Sequence, residues 1–170
     1  MHDLLKQLLG NQFDGALCML RQCIAGCPGE QWEAKVANGT FRWVAYHTLF
    51  FVDYYLAPGE KAFQLRELHA IGGTELSDEP APGLSQAQTL EYLGLCREKA
   101  HQALAAETVD SLQGQCGFGR SFSRAELHVY NIRHIQHHAG QLSAFLRRVA
   151  PGQFAHRDLP WIGSGWRGPA

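Results

Sequence analysis

The chain has 170 residues, of which 45% are apolar and 18% are charged, and its formal net charge at pH 7 is −1. This balance is typical of one globular domain with a sizeable core, and it excludes a disordered chain. Nucleic acid is not an expected partner, because phosphate binding needs a clustered basic surface. The sequence contains no run of about 18 apolar residues, so no membrane span is predicted, and the residues after Met1 do not have the pattern of an export signal. We therefore expect a cytoplasmic protein without a membrane partner.

The five cysteines predict free thiols rather than disulfides. Their number is odd, and no two of them form a Cys-x-x-Cys pair; they are Cys18, Cys23, Cys27, Cys96 and Cys116. This pattern argues against a disulfide framework and against a structural zinc knuckle. Cys23 and Cys27 lie one helical turn apart, which leaves a metal or redox pair open. Our interpretation is that the cysteines are small apolar side chains in a reduced compartment.

Two long helices are predicted in the first third of the chain. The first runs from about Asp3 to Ala25, where apolar residues recur with the helical period, and the segment around Pro28 ends it. The second is expected to begin after Thr40, whose side chain can cap it, and to end before Pro58. No alternating strand pattern competes with either helix.

Two further helices are predicted after a long connection, residues 59–84, which is rich in Gly and Pro. Ser85 and Gln88 match a capping box that opens the third helix, which continues to about residue 106. Ser123 and Glu126 match a second capping box, so a fourth helix is expected to begin there and to end before residue 151.

These elements predict an all-α fold, a four-helix bundle with a long crossover between helices two and three. The connection is long enough to cross the bundle instead of turning back on itself. We expect a bundle domain over residues 1–150, followed by an irregular tail over residues 151–170 that contains Trp161 and Trp166 between glycines.

The most informative pattern is a pair of histidines four residues apart in the fourth helix, His134 and His138. That spacing places both imidazoles on one helical face, where they can bind a single metal ion. The face repeats in steps of four and three, which is typical of a buried seam between helices; it consists of Leu127, Asn131, His134, His138, Gln141, Phe145 and Arg148. A further histidine, His47, lies on the apolar stripe of helix two.

We therefore predict a divalent metal site formed by His47, His134 and His138. Catalytic zinc sites typically use three protein ligands and keep one position open for water or substrate. Three neutral imidazoles would leave the full charge of the ion available to activate that molecule. For each ring alone, a core role with ordinary hydrogen bonds is the alternative.

Several residues near the predicted ligands are candidates for supporting roles, and no general acid or base is assigned. Tyr130, Asn131 and Gln141 each lie about one turn from a ligand and could orient its ring, although plain packing fits them equally well. His137 is expected at the surface or in contact with a ligand, because it points about 100° away from the pair. His128 lies off the ligand face. The remaining histidines are expected to be solvent-exposed: His2, His69, His101 and His156.

The run from His134 to Leu142, together with His47 in helix two, resembles the DinB/YfiT-like superfamily of metalloenzymes. The resemblance implies an up-down-down-up four-helix bundle, often a homodimer. It also implies a divalent metal bound by His47, His134 and His138, with zinc or nickel as the usual ion and iron or manganese as alternatives. Many relatives carry Arg where Ala139 stands, so a role for that cation does not carry over.

The superfamily includes bacterial enzymes that use a metal to activate a low-molecular-weight thiol. We therefore expect a metal-dependent transferase or hydrolase that acts on a small-molecule substrate, with thiol or water activated at the three-histidine site. The alternative is a non-catalytic, dimeric metal-binding or ligand-binding bundle. Likeness of fold is a weak argument for any particular reaction.

Overall fold

A computed structural model describes residues 2–36, 38–73, 79, 83–150 and 162–168. Most of these residues are helical, and two residues on each side of a turn form a short antiparallel ladder. The elements are α1 (His2–Gly26), β1 (Lys35–Val36), β2 (Gly39–Thr40), α2 (Phe41–Tyr55), α3 (Glu67–Gly72), α4 (Gln86–Ala106), α5 (Val109–Gln113) and α6 (Arg124–Val149). None of the described helices is both long and apolar enough to cross a membrane.

Three of the four long helices, α2, α4 and α6, begin where their capping residues predict. The Thr40 side chain accepts a hydrogen bond from the Trp43 amide at the start of α2. Ser85 and Ser123 each form a complete capping box at the start of α4 and α6. Such side chains satisfy amides that have no partner within the helix, so the first turn of each helix is stabilised locally.

The long helices α1, α2, α4 and α6 form an up-down-down-up bundle, which confirms the predicted fold. Lys6 at the start of α1 reaches the Ala105 carbonyl at the end of α4, so these two helices are antiparallel. The Cys23 thiol reaches the Ala139 carbonyl, and the Phe13 ring contacts the His128 ring, so α1 and α6 run in the same direction. Helices α1 and α2 occupy opposite corners, each packed on α4 and α6.

Five short elements were not predicted: the two-residue ladder, the 3-10 helices Gly29–Gln31 and Glu60–Ala62, the helix α5, and the helix α3 within the crossover. Elements this short span too few residues for a helical or alternating repeat to emerge. Glu79 brings the crossover back to the start of α2, where its carboxylate accepts from the Thr40 amide at 3.1 Å and from Arg42 at 3.0 Å. Residues 74–78 and 80–82 lie outside the described part of the crossover.

The predicted seam of α6 is only partly buried: Leu127, Asn131 and Phe145 are buried and Arg148 is exposed, and an apolar stripe beside it is buried throughout. Ile135, Leu142 and Leu146 are completely buried, whereas His134 and His138 are half-buried. The physical reason is that α6 packs on both α1 and α2, so the apolar side chains fill the centre and the histidines lie along one edge of the α2 contact.

All five cysteines are buried and unpaired, as predicted. In the tail, the described residues 162–168 have no regular secondary structure, and the Gly165 amide donates to the Asn11 carbonyl of α1 at 2.9 Å. The predicted irregular segment over residues 151–161 lies outside the described chain, so the division at residue 150 stays a prediction.

A buried guanidinium joins the end of α2 to the start of α6. Arg124 donates to the carbonyls of Tyr55 and Ala57 at 3.0 and 2.8 Å, and to the carboxylate of Glu107 at 2.8 Å. His128 donates to the same carboxylate at 2.9 Å. Burial alone would raise the pKa of Glu107, but these hydrogen bonds lower it to about 2. The last carbonyls of α2 thus have a charged partner supplied by α6.

Replacing Arg124 with Met should lower the free energy of unfolding by about 3–5 kcal/mol, because Glu107 would keep its buried charge without the guanidinium that pairs with it. Chemical denaturation with urea measures this change. The exposed Arg133 of the same helix is the control, and R133M should cost less than about 0.5 kcal/mol. Equal losses in the two variants would contradict the role given to Arg124.

Candidate metal centre

The three predicted ligands lie on two antiparallel helices that face each other. His47 is in the middle of α2, and His134 and His138 are one turn apart in α6. The ring centroid of His47 is 5.5 Å from that of His134 and 5.0 Å from that of His138, and the two rings of α6 are 4.6 Å apart. The structure therefore brings His47 together with two histidines that lie 87 and 91 residues further along the chain.

The ring nitrogens of the three histidines are close enough to share one ion. Each ring offers a nitrogen, and these nitrogens all lie within 4.8 Å of one another. The Nε2 atoms of His134 and His138 are 3.1 Å apart. In a tetrahedral zinc site with bonds of about 2.0–2.1 Å, neighbouring ligand nitrogens are roughly 3.3 Å apart. The described residues therefore fit a divalent cation, with three ligands and one position left for another molecule.

The three imidazoles are neutral at pH 7, as metal ligands must be. Burial lowers the pKa of His47 to about 4, and the nearby His138 ring adds to this shift. Burial and the rings of His138 and His47 lower the pKa of His134 to about 3. Burial also lowers the pKa of His138. Unprotonated ring nitrogens are thus available without competition from protons.

Gln141 contacts two histidines, as its position in the sequence allowed. Its Oε1 accepts a hydrogen bond from Nδ1 of His138 at 2.8 Å, and its Nε2 donates to Nε2 of His137 at 3.2 Å. Because a carbonyl oxygen can only accept, Nδ1 of His138 carries the proton and its Nε2 has a free lone pair. Gln141 therefore fixes the ring tautomer that exposes Nε2 to a cation. His137 is exposed, as expected.

Asn131 and Tyr130, which are adjacent in sequence, have different surroundings in the structure. Asn131 is completely buried, and its Nδ2 donates to the Val52 carbonyl of α2 at 3.4 Å. The Oδ1 atom of Asn131 and the Nδ1 atom of His134 are both buried without a hydrogen-bond partner in the described structure. The ring of Tyr130 packs edge-on against Tyr55 instead, at 5.5 Å between centroids.

A recess of about 240 Å³ opens next to the histidines, between the short ladder, α2 and α6. Trp43 forms one wall, with its indole stacked on Tyr46 at 5.7 Å between centroids. A Cβ atom at Gly39 would come within 2.5 Å of the indole, so only glycine lets the ladder approach Trp43 this closely. The residues that line the recess are Asn38, Gly39, Trp43, Val44, His47, His137, His138 and Gln141. A small molecule in this recess would contact two of the three predicted ligands.

A second buried polar cluster overturns the expectation that His69 is solvent-exposed. His69 is completely buried, and its Nδ1 accepts from the Arg66 amide at 2.7 Å while its Nε2 donates to the Tyr92 hydroxyl at 2.8 Å. That hydroxyl donates to Asp53 at 3.1 Å, and Lys99 also donates to Asp53. Burial raises the pKa of Asp53, but hydrogen bonds from Arg66 and Lys99 outweigh it and keep the pKa below its usual value. No helical period marks His69, because it lies in the short helix α3.

The lowered histidine pKa values predict how stability depends on pH. In the unfolded chain a histidine takes up a proton near pH 6.5, whereas the folded rings stay neutral to about pH 4. Stability is therefore complete above pH 6.5 and decreases as the pH falls towards 4. For His134→Asn without metal, the slope of unfolding free energy against pH between 6 and 5 should drop by about one proton, or roughly 1.4 kcal/mol per pH unit.

Urea titrations of the metal-free proteins at several pH values measure this slope. The control is Arg133→Gln, which changes an exposed side chain next to His134 and removes no histidine, so the slope should stay as in wild type. An identical slope in wild type and His134→Asn would show that His134 is protonated in the folded protein.

Comparison with known proteins gives one match. A family model of the DinB superfamily matches residues 12–142, a range that includes His47, His134 and His138 and well over half of the chain. No curated protein and no solved structure gives a significant match. The matched range, the all-α fold and the three converging histidines agree with one another, and the chain belongs to the DinB superfamily.

Proposed function

We propose that this protein is a metal-dependent enzyme, a transferase or hydrolase, in which His47, His134 and His138 bind one divalent cation. Zinc or nickel is the proposed ion, and iron or manganese are alternatives. The observation that carries the proposal is the convergence of three neutral imidazoles, from two helices, beside a recess that two of them line. The superfamily is associated with metal binding, which supports the same proposal.

A divalent cation bound by neutral ligands would lower the pKa of a thiol or water in the open position, and so provide a nucleophile near neutral pH. The chain supplies the geometry. Gln141 orients the His138 ring, and the Trp43 indole gives the recess an apolar wall on which the body of a small substrate can pack. A low-molecular-weight thiol that attacks an electrophilic substrate fits this arrangement, and water is the alternative nucleophile. The buried, unpaired cysteines support a reducing, cytoplasmic setting.

A non-catalytic dimeric bundle that binds metal or ligand is the second candidate. One surface of α1 favours self-association, because three leucines near its start are exposed: Leu4, Leu5 and Leu8. Exposed apolar side chains clustered in one turn of a helix are typical of a contact surface. We propose a homodimer in either case, and the two candidates differ in whether the metal site accepts an external ligand.

The metal proposal predicts about one equivalent of divalent metal per chain in protein purified without an affinity tag. His47→Ala, His134→Ala and His138→Ala should each remove most of this metal, because two imidazoles hold the ion far more weakly than three. Inductively coupled plasma mass spectrometry measures the content, and His137→Ala is the control that keeps it. A metal content per chain that is unchanged in His134→Ala and His138→Ala would contradict the proposal.

Cobalt-loaded protein distinguishes an enzyme from a closed metal site. If one coordination position is open, 2-mercaptoethanol should bind to the cobalt and produce a sulfur-to-cobalt charge-transfer band with a saturable dependence on thiol. Trp43→Ala should leave the band and weaken binding of a bulkier thiol such as benzyl mercaptan by about tenfold, since roughly 1.4 kcal/mol of apolar contact is lost. No band at any thiol concentration would favour the non-catalytic candidate.

A further inference from the structure

Arg120 is an exposed arginine that two tyrosine rings hold in place. Its guanidinium carbon lies 5.7 Å from the ring centroid of Tyr55 and 5.2 Å from that of Tyr130, within the range of cation–π contacts, and its Nη2 donates to the Tyr55 hydroxyl at 3.0 Å. Arg66 and Arg124 each pair with a carboxylate, whereas no carboxylate of the described residues forms an ion pair with Arg120. A guanidinium has five N–H donors, so Arg120 keeps donors for an external anion.

The loop that carries Arg120 is packed against the end of α2. Gly117 has a φ of 81°, a conformation that favours glycine, and a Cβ atom there would come within 3.0 Å of the Gly59 Cα. Next to it, the buried Phe118 ring packs edge-on against Tyr55 at 5.5 Å between centroids. These contacts fix the backbone just before Arg120. The Gly-rich loop thus presents the guanidinium at a defined place beside α2.

A row of aromatic rings, formed by Phe51, Tyr55 and Tyr130, connects Arg120 with the candidate metal centre. The Phe51 centroid is 4.9 Å from that of His47, and the Phe51 ring stacks on Tyr55 at 5.3 Å. His47, Phe51 and Tyr55 follow one another at intervals of four residues, so the row extends over two turns of α2, or about 12 Å. Phe51 and Tyr130 are half-buried, so part of the aromatic row is accessible to a ligand.

We propose that Arg120 binds the carboxylate of an elongated molecule whose other end reaches the open position of the metal centre. The inference rests on the proposed function, and it narrows the substrate class to molecules with a carboxylate at one end and an apolar body of about 12 Å. The two oxygens of a carboxylate match the fork of a guanidinium, and the apolar body would cover the aromatic row. Arg120 is therefore a specificity-determining residue that takes no part in the chemical step.

The groups around Arg120 leave its positive charge available. Burial raises the pKa of Tyr55, so this phenol stays neutral at pH 7 and does not cancel the charge of the guanidinium. Glu60 is a neighbouring carboxylate, but it accepts a hydrogen bond from Tyr54 and has that hydroxyl as its partner. Burial and Glu60 raise the pKa of Tyr54 to about 12, although the charge of Arg120 opposes this shift. An external carboxylate would thus meet a cation that lacks an acidic partner among the described residues.

Two pairs of thiols, titrated into cobalt-loaded protein, test the charge and the length. The extended chain of 11-mercaptoundecanoate is long enough to join the metal to Arg120, and 11-mercaptoundecanol has the same length without the charge. The second pair, 6-mercaptohexanoate and 6-mercaptohexanol, is too short. The sulfur-to-cobalt band measures each affinity. The long acid should bind about fivefold more tightly than the long alcohol, less so in high salt, because salt screens exposed ion pairs. The two short thiols should bind equally.

Arg120→Gln should abolish the preference for the long acid and leave the affinity for the long alcohol as in wild type. Arg133→Gln, which changes an exposed arginine of α6, is the matched control and should keep the preference. If the Arg120→Gln protein does not fold, the length and salt dependence in wild type decide alone.

The results separate this inference from the proposed function. A preference for the long acid that is absent in wild type, equal for the short pair, retained in Arg120→Gln or lost in Arg133→Gln would overturn the inference, while the metal site stands. If none of the four thiols produces the band, the open coordination position is wrong, and the inference fails together with the proposed function.

Discussion

The relative position of α2 and α6 depends on a buried guanidinium. Arg124, at the first turn of α6, donates to three successive carbonyls at the end of α2, from Tyr55 to Ala57, and to the Glu107 carboxylate. One side chain thus satisfies carbonyls that have no partner within the helix. The same contacts hold the first turn of α6 against the last turn of α2. The two helices are antiparallel, so the middle of α2 lies beside the middle of α6. There the His47 ring contacts the rings of His134 and His138. The candidate site is a consequence of that register.

Buried polar groups in this bundle are stabilised in two different ways. Asp53 and Glu107 stay charged, because each has cationic or hydrogen-bonding partners that outweigh the effect of burial. The three histidines stay neutral, because burial and neighbouring rings both disfavour a positive charge. The first arrangement holds helices and the crossover together. The second leaves three neutral rings with one nitrogen each within 4.8 Å of the other two, which is a spacing that one cation can bridge.

Sequence reasoning succeeded where the responsible interactions are local. Thr40, Ser85 and Ser123 cap their helices through atoms three residues away, so each helix start could be predicted within a residue or two. It failed for His69, whose partner Tyr92 is distant in sequence and whose short helix shows no period. The predicted buried seam of α6 was correct for Leu127, Asn131 and Phe145 but not for the half-buried histidines, because an apolar and a polar stripe of α6 both repeat with the helical period.

The sequence alone determined the all-α class, the limits of the long helices and the three histidines that could bind a metal, because helical periodicity, capping and ligand spacing all act within a few residues. Tertiary structure decided that His47 lies within reach of His134 and His138, that a recess bounded by Trp43 opens beside them, and that Asn131 is completely buried. These features depend on how two helices distant in sequence pack side by side, and that packing follows from contacts such as those of Arg124, which no local pattern encodes.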